Sequence, residues 1–283
     1  MMRSLFTSMV VTCAAATANL EPAAQPAAVH EFERRYTDAQ IHNTSSSTAC
    51  AKVHVIVDRA TGEPPSQGVI GTLATIIATR IPGTTVEWVD YPAVLVPYDQ
   101  STNTGITMTK DSITSYADKC PNAKIVMLGY SQGAQVVGDV LCGGGGALGL
   151  GPYTDPLEEN YVKRIAAAVQ MGDPRFVPGM PWDRGTAVTG GIFPRQPNQT
   201  CERVASILVS YCDANDPFCA VPGFDYNVHA TYDIRYNEDA FNFVEGKING
   251  STTGKKGDST RQSPRSSASL LALAMLFVFS SVL

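Results

Sequence analysis

The segment Gly129-Tyr130-Ser131-Gln132-Gly133 carries the residue best placed for nucleophilic attack. It follows an apolar run, residues 124–128, and opens an amphipathic stretch, residues 132–141. A G-x-S-x-G turn between a buried strand and a helix is the arrangement of a nucleophile elbow. The glycines permit a turn in which a Cβ would clash. The serine is lifted to a helix N-terminus, where the dipole favours a developing oxyanion. The five letters alone are weak evidence, since such a serine can also cap a helix. The flanking elements favour the catalytic reading.

A serine hydroxyl needs a base. The chain has four histidines. His30 and His42 fall in a loose N-terminal stretch, and His54 lies inside the first apolar run, where packing is its expected role. Only His229 follows the elbow, so it is the base by elimination and by the chain order serine, acid, histidine. Two acids compete upstream of it. Asp216 lies between Cys212 and Cys219, in a loop that a local disulfide would stiffen, which suits a group that must hold an imidazole in one tautomer. Asp213 could instead tie down the turn through its side chain. Spacing favours Asp216 without excluding Asp213.

The elements that must position these groups are short apolar runs alternating with amphipathic stretches. Residues 53–57, 85–89, 124–128, 165–171 and 206–211 read as strands. The first, third and fifth are near-continuous apolar runs, as in buried parallel strands. Residues 66–79, 108–119, 132–141 and 238–247 read as helices, the third ended by Gly143 to Gly146. The alternation predicts one three-layer α/β domain with a parallel central sheet, over residues 50–248.

The ends read as addresses. Residues 1–18 match a signal peptide: Arg3, then an apolar core, then Ala16-Thr17-Ala18. Residues 19–49 form a low-complexity arm. Residues 249–269 read as a Ser/Thr/Gly-rich stalk, and 270–283 as an apolar tail shorter than the ~20 residues a membrane span needs. Small residues, a polar spacer and a terminal apolar tail match a GPI-attachment signal near Gly257 or Asp258. Secretion removes Cys13 and leaves Cys50, Cys120, Cys142, Cys201, Cys212 and Cys219, an even set that favours three disulfides over a metal site. Asn43, Asn198 and Asn249 each begin a glycosylation sequon. A net charge of −5 argues against nucleic acid as a partner. No metal or cofactor is called for, and a monomer is expected.

Several of these motifs occur in one order that resembles the fungal cutinase and acetylxylan esterase family. They are the run Gly-Tyr-Ser-Gln-Gly-Ala-Gln at 129–135, the segment from Met171 to Phe176, the Asp-Pro-Phe-Cys loop at 216–219, and Val228-His229. The resemblance implies an α/β-hydrolase fold and a serine esterase whose triad is Ser131, Asp216 and His229. It implies an oxyanion hole formed by Gln132 and by Thr61 after the first strand; N–H and hydroxyl donors there could converge on a developing O⁻. It also implies the pairings Cys50–Cys120 and Cys212–Cys219, leaving Cys142–Cys201 as a bridge of the acetylxylan esterase branch. The expected activity is hydrolysis of short acyl esters in plant cell-wall polymer, acetylated xylan before cutin. Two departures run against the acetylxylan branch: Tyr91-Pro92-Ala93 is followed by Val94-Leu95-Val96 rather than cysteines, and Ala220 stands where a second Cys is usual. An inactive surface or adhesion module with the same fold is the reading from another class.

Overall fold

A computed structural model describes residues 49–250. The leader, the N-terminal arm with Asn43, the stalk beyond Gly250 and the apolar tail with its Gly257/Asp258 attachment point lie outside the described residues.

Strands β1 (Val53–Asp58), β2 (Thr84–Trp88), β3 (Lys124–Tyr130), β4 (Ile165–Met171), β5 (Asp183–Arg184) and β6 (Leu208–Tyr211) form one sheet in the order β2-β1-β3-β4-β6-β5, with every pairing parallel. A parallel sheet must be covered on both faces, and it is. Helices α1 (Gly71–Arg80) and α6 (Tyr232–Ile248) bury Leu73, Ile77, Phe241 and Val244 against Val55, Val57, Leu128 and Val169 on one side. Helices α2 (Tyr98–Lys119) and α3 (Gln132–Cys142) bury Ile106, Ile113, Val136 and Val140 against Ile56, Met127 and Ala168 on the other. All six residues of β1 are buried, as its continuous apolar run requires. Two one-turn helices, α4 (Glu159–Val162) and α5 (Tyr226–His229), are the remaining α-helices among the described residues. This is the three-layer α/β arrangement expected from the alternation.

The boundaries differ from expectation where polar residues are used structurally. Helix α2 begins at Tyr98, ten residues before the expected 108. Thr102, Thr104 and Thr107 each donate to the carbonyl one turn back, so the helix absorbs the polarity that hid it. Helix α1 begins at Gly71 rather than 66, because residues 63–70 wrap around the buried Glu63 carboxylate, which accepts from Ala60 N and Val69 N. Helix α6 starts at Tyr232, six residues early. Strand β5 was not expected; its two residues gain their strand geometry only by pairing with β6 at the sheet edge.

Three disulfides staple the domain. Cys50–Cys120 joins the approach to β1 to the end of α2, Cys142–Cys201 ties the last residue of α3 to a 3-10 turn, and Cys212–Cys219 closes the loop after β6. These are the implied pairings. His54 is buried as expected. It stacks on Tyr116 at 3.6 Å and bonds Thr85 and Glu87. Trp182 is buried in the cluster on the α2/α3 side of the sheet, and Trp88, partly buried, packs against the cluster on the opposite side.

Candidate active site

Ser131 sits between the end of β3 and the first residue of α3 with φ 53° and ψ −117°, a conformation that L-residues rarely adopt. The flanking glycines explain how the turn closes. A Cβ on Gly129 would lie 2.3 Å from the Gly133 carbonyl oxygen, and one on Gly133 would lie 2.0 Å from the Asp58 carbonyl oxygen. Helix α3 is thus pressed onto the ends of β1 and β3. Ser131 N–H donates to Met171 O across 2.8 Å, fixing the turn to β4. The first N–H groups of α3, at Gln132 and Gly133, have no acceptor within the helix and stand at its positive end.

His229 closes the one-turn helix α5 rather than lying in an open loop. Its Nδ1 lies 2.8 Å from Asp216 Oδ2. Asp216 is fully buried; its Oδ1 accepts from Phe218 N at 2.7 Å and Cys219 N at 3.0 Å, and its Oδ2 also accepts from Tyr232 Oη at 2.8 Å. Burial alone would raise this carboxyl's pKa. The bond and charge of His229 with the two backbone bonds outweigh it and hold the carboxyl below its usual range. Between the two candidates the structure therefore gives Asp216 to the histidine. Asp213 accepts instead from Thr186 N and Oγ1 and from Tyr236 Oη, bracing the neighbouring turn.

The histidine and the serine are brought to one edge by the residues beside Ser131. Tyr130 Oη donates to the His229 carbonyl. Gly172, next to the Met171 that anchors Ser131, sits so close that a Cβ there would lie 2.7 Å from His229 Cε1. Its φ of +67° and missing side chain leave room for the ring, which Phe218 flanks at 4.5 Å. Among the described residues no hydrogen bond joins Ser131 Oγ to the imidazole. Catalytic bonds of this kind commonly tighten when substrate binds.

Thr61 lies in the turn after β1, partly exposed. Its loop is held by two buried charges that sequence reasoning missed. Arg59 spans three carbonyls, of Glu63, Val89 and Tyr91, while Glu63 bridges two amides. Gly62 N–H reaches Ala93 O at 2.7 Å. On the facing side the fully buried Gln132 donates from Nε2 to Val94 O and accepts from Ser101 Oγ. Thr61 and Gln132 therefore come from segments locked to the same strip, residues 93–94.

Asp173 accepts from Arg175 N and Gln170 Nε2, supporting the turn, and Arg175 reaches Asp139 of α3 at 2.8 Å. The motif from Met171 to Phe176 is thus a buckle behind the elbow helix. Among the described residues no cluster of His, Cys, Asp and Glu is suited to a metal, and no helix is long and apolar enough to cross a membrane.

A six-stranded parallel sheet with helices on both faces and a serine on a strained turn after its central strand define an α/β-hydrolase. The chain belongs to the cutinase family, whose model matches residues 49–248. Cutinase 11 of Verticillium dahliae is 34% identical over 209 residues, 71% of this chain and 70% of that protein. The acetylxylan esterase of Hypocrea jecorina is 35% identical over 207 residues, 70% of this chain and 68% of that one. The solved catalytic core of the Trichoderma reesei acetyl xylan esterase superposes with a TM-score of 0.66 at 35% identity, covering 70% of this chain and all of that structure. The protein is a serine carboxylic ester hydrolase.

Proposed function

We propose that Ser131, His229 and Asp216 form a catalytic triad that removes short acyl groups from plant cell-wall polymer, acetylated xylan first. The observation that carries this is the 2.8 Å bond from His229 to a buried, fully bonded Asp216, at the strand ends where Ser131 stands on its strained turn. His229 Nε2 takes the proton as Ser131 Oγ attacks the acyl carbon, and Asp216 keeps the opposite nitrogen protonated and the ring aligned. Gln132 N–H, with the N–H and hydroxyl of Thr61, binds the developing oxyanion. His229 then protonates the leaving sugar oxygen, and water repeats the sequence on the acyl-enzyme.

The acetylxylan esterases among its relatives and the Cys142–Cys201 bridge support the acetyl reading. Three disulfides support work in an oxidising, extracellular compartment. A specific observation favours the cutin alternative. Leu95 and Val96, beside the Gln132 clamp, are 67% and 80% exposed, and Phe224, before the helix that carries His229, is 80% exposed. Such apolar rims suit a greasier ester. Hydrolysis of p-nitrophenyl acetate by wild type and Ser131→Ala tests the triad; equal rates in the two refute Ser131 as the nucleophile, and no rate in either favours an inactive module. Relative rates on acetylated xylan, butyrate esters and cutin then decide the substrate.

A further inference from the structure

We propose that Tyr232 is a positioning residue of this esterase, its hydroxyl setting how much negative charge Asp216 presents to His229. The inference rests on the triad assignment and deepens it. Asp216 Oδ2 is shared by two donors at the same 2.8 Å, His229 Nδ1 and Tyr232 Oη. The carboxylate is closed to water, so these two and the amides of Phe218 and Cys219 are its whole solvation. Each disperses part of the charge that would otherwise bind the imidazolium.

The direction of the Tyr232 proton follows from its other contacts. A phenol has one proton to give. Asp213 N–H already donates to Tyr232 Oη at 2.8 Å, and Cys219 Sγ, 3.3 Å away, is bridged to Cys212 and carries no hydrogen. The proton therefore points to Asp216. Burial and the adjacent carboxylate push the phenol's pKa far up, so it stays a donor across the working range. The ring itself is clamped. Arg235 lies 4.7 Å over it, Tyr236 stacks at 6.0 Å, and Tyr130 meets it edge-on at 6.1 Å. The other charged groups facing this cluster are Asp213, which pairs with Arg235, Asp233 on the same helix, and Glu63 after β1, which with Asp233 acts on Tyr130.

Tyr232→Phe keeps the ring and removes the bond. Concentrated charge on Asp216 should hold the proton on His229 to higher pH. The acidic limb of kcat/KM for p-nitrophenyl acetate should then move up by about half a unit to one unit. At pH 6 kcat should fall several-fold with KM within twofold. A merely structural tyrosine would lower the melting temperature and leave the limb where it is, and that result overturns the proposal. Site-specific 3,5-difluorotyrosine at 232, a stronger donor of nearly the same shape, should move the limb down; no movement there also overturns it, even if the Phe variant does not fold. Asp216→Asn separates the two readings. If it keeps full activity the triad assignment fails; if it is inactive while both Tyr232 variants behave as wild type, only the present inference fails.

Discussion

The backbone N–H of Cys219 donates to Asp216 Oδ1 across 3.0 Å, while the sulfur of the same residue closes the bridge to Cys212. One residue thus both solvates the acid that holds His229 and locks the loop carrying it. The bridge spans seven positions, and its loss should cost about 2–3 kcal/mol by chain entropy.

The double variant Cys212→Ser, Cys219→Ser should therefore lose more than stability. With the loop free, Asp216 has no fixed angle to the imidazole, and kcat should fall about tenfold or more while KM changes little. Thermal melts and steady-state kinetics at one temperature, well below both melting points, check this. An unchanged kcat in a folded double variant would mean that the bridge is a staple without influence on the site.

The strain at Ser131 makes a second, less intuitive forecast. A non-glycine residue at φ 53°, ψ −117° costs about 1–3 kcal/mol, which alanine inherits and glycine largely escapes. Ser131→Gly and Ser131→Ala should both lose activity by about 10³-fold or more. The glycine variant should nonetheless be the more stable of the two, by about 1 kcal/mol. Urea unfolding of both variants gives the comparison, and the reverse order would show that the turn is not strained.

Much of this site was legible because local rules coincide there. Buried parallel strands leave continuous apolar runs, and the glycines at 129 and 133 are demanded by backbone approaches of 2.3 and 2.0 Å. His229 was reachable by elimination. What escaped were residues whose roles depend on distant partners. Nothing near Tyr232 in sequence says that its hydroxyl meets Asp216, and Arg59 reads as a surface charge until Val89 and Tyr91 supply carbonyls thirty positions away. The first turns of α2 were hidden for a related reason. Ser101 and Thr102 look like loop residues, yet they are buried and satisfied by Gln132 and by the helix itself.

Asp58 sets a pH dependence that belongs to the fold rather than the chemistry. It ends β1, fully buried, with Oδ1 accepting from Thr109. Burial pushes its carboxyl from 3.8 up to about 7, against the Thr109 bond and the Arg59 charge. Between those values the folded protein holds a proton that the unfolded chain has released, so stability falls as pH rises through that window and levels off above it. Asp58→Asn keeps an oxygen for Thr109 and cannot ionise. It should be more stable than wild type at pH 8, by about 2–4 kcal/mol, with the difference vanishing near pH 4. Glu63, also pushed up to about 7 by burial, leaves a residual slope in the same direction. Denaturation midpoints at the two pH values decide; an equal gain at both would assign it to packing instead.

The oxyanion hole makes the last forecast, and its test lies in which kinetic constant moves. Thr61 and Gln132 are carried by different elements, the turn after β1 and the start of α3, and both elements are tied to residues 93–94. If Thr61 binds charge that exists only in the transition state, removing its hydroxyl should leave ground-state binding intact. Thr61→Val should then lower kcat by about 10²–10³ with KM unchanged. Gln132→Ala keeps the backbone donor but cuts the side-chain bonds to Val94 and Ser101, so it loosens the frame rather than removing a donor. Its cost should be smaller and should include a lower melting temperature, because the lost contacts are buried. A Thr61→Val enzyme whose KM rises while kcat holds would place that hydroxyl on the substrate rather than on the oxyanion.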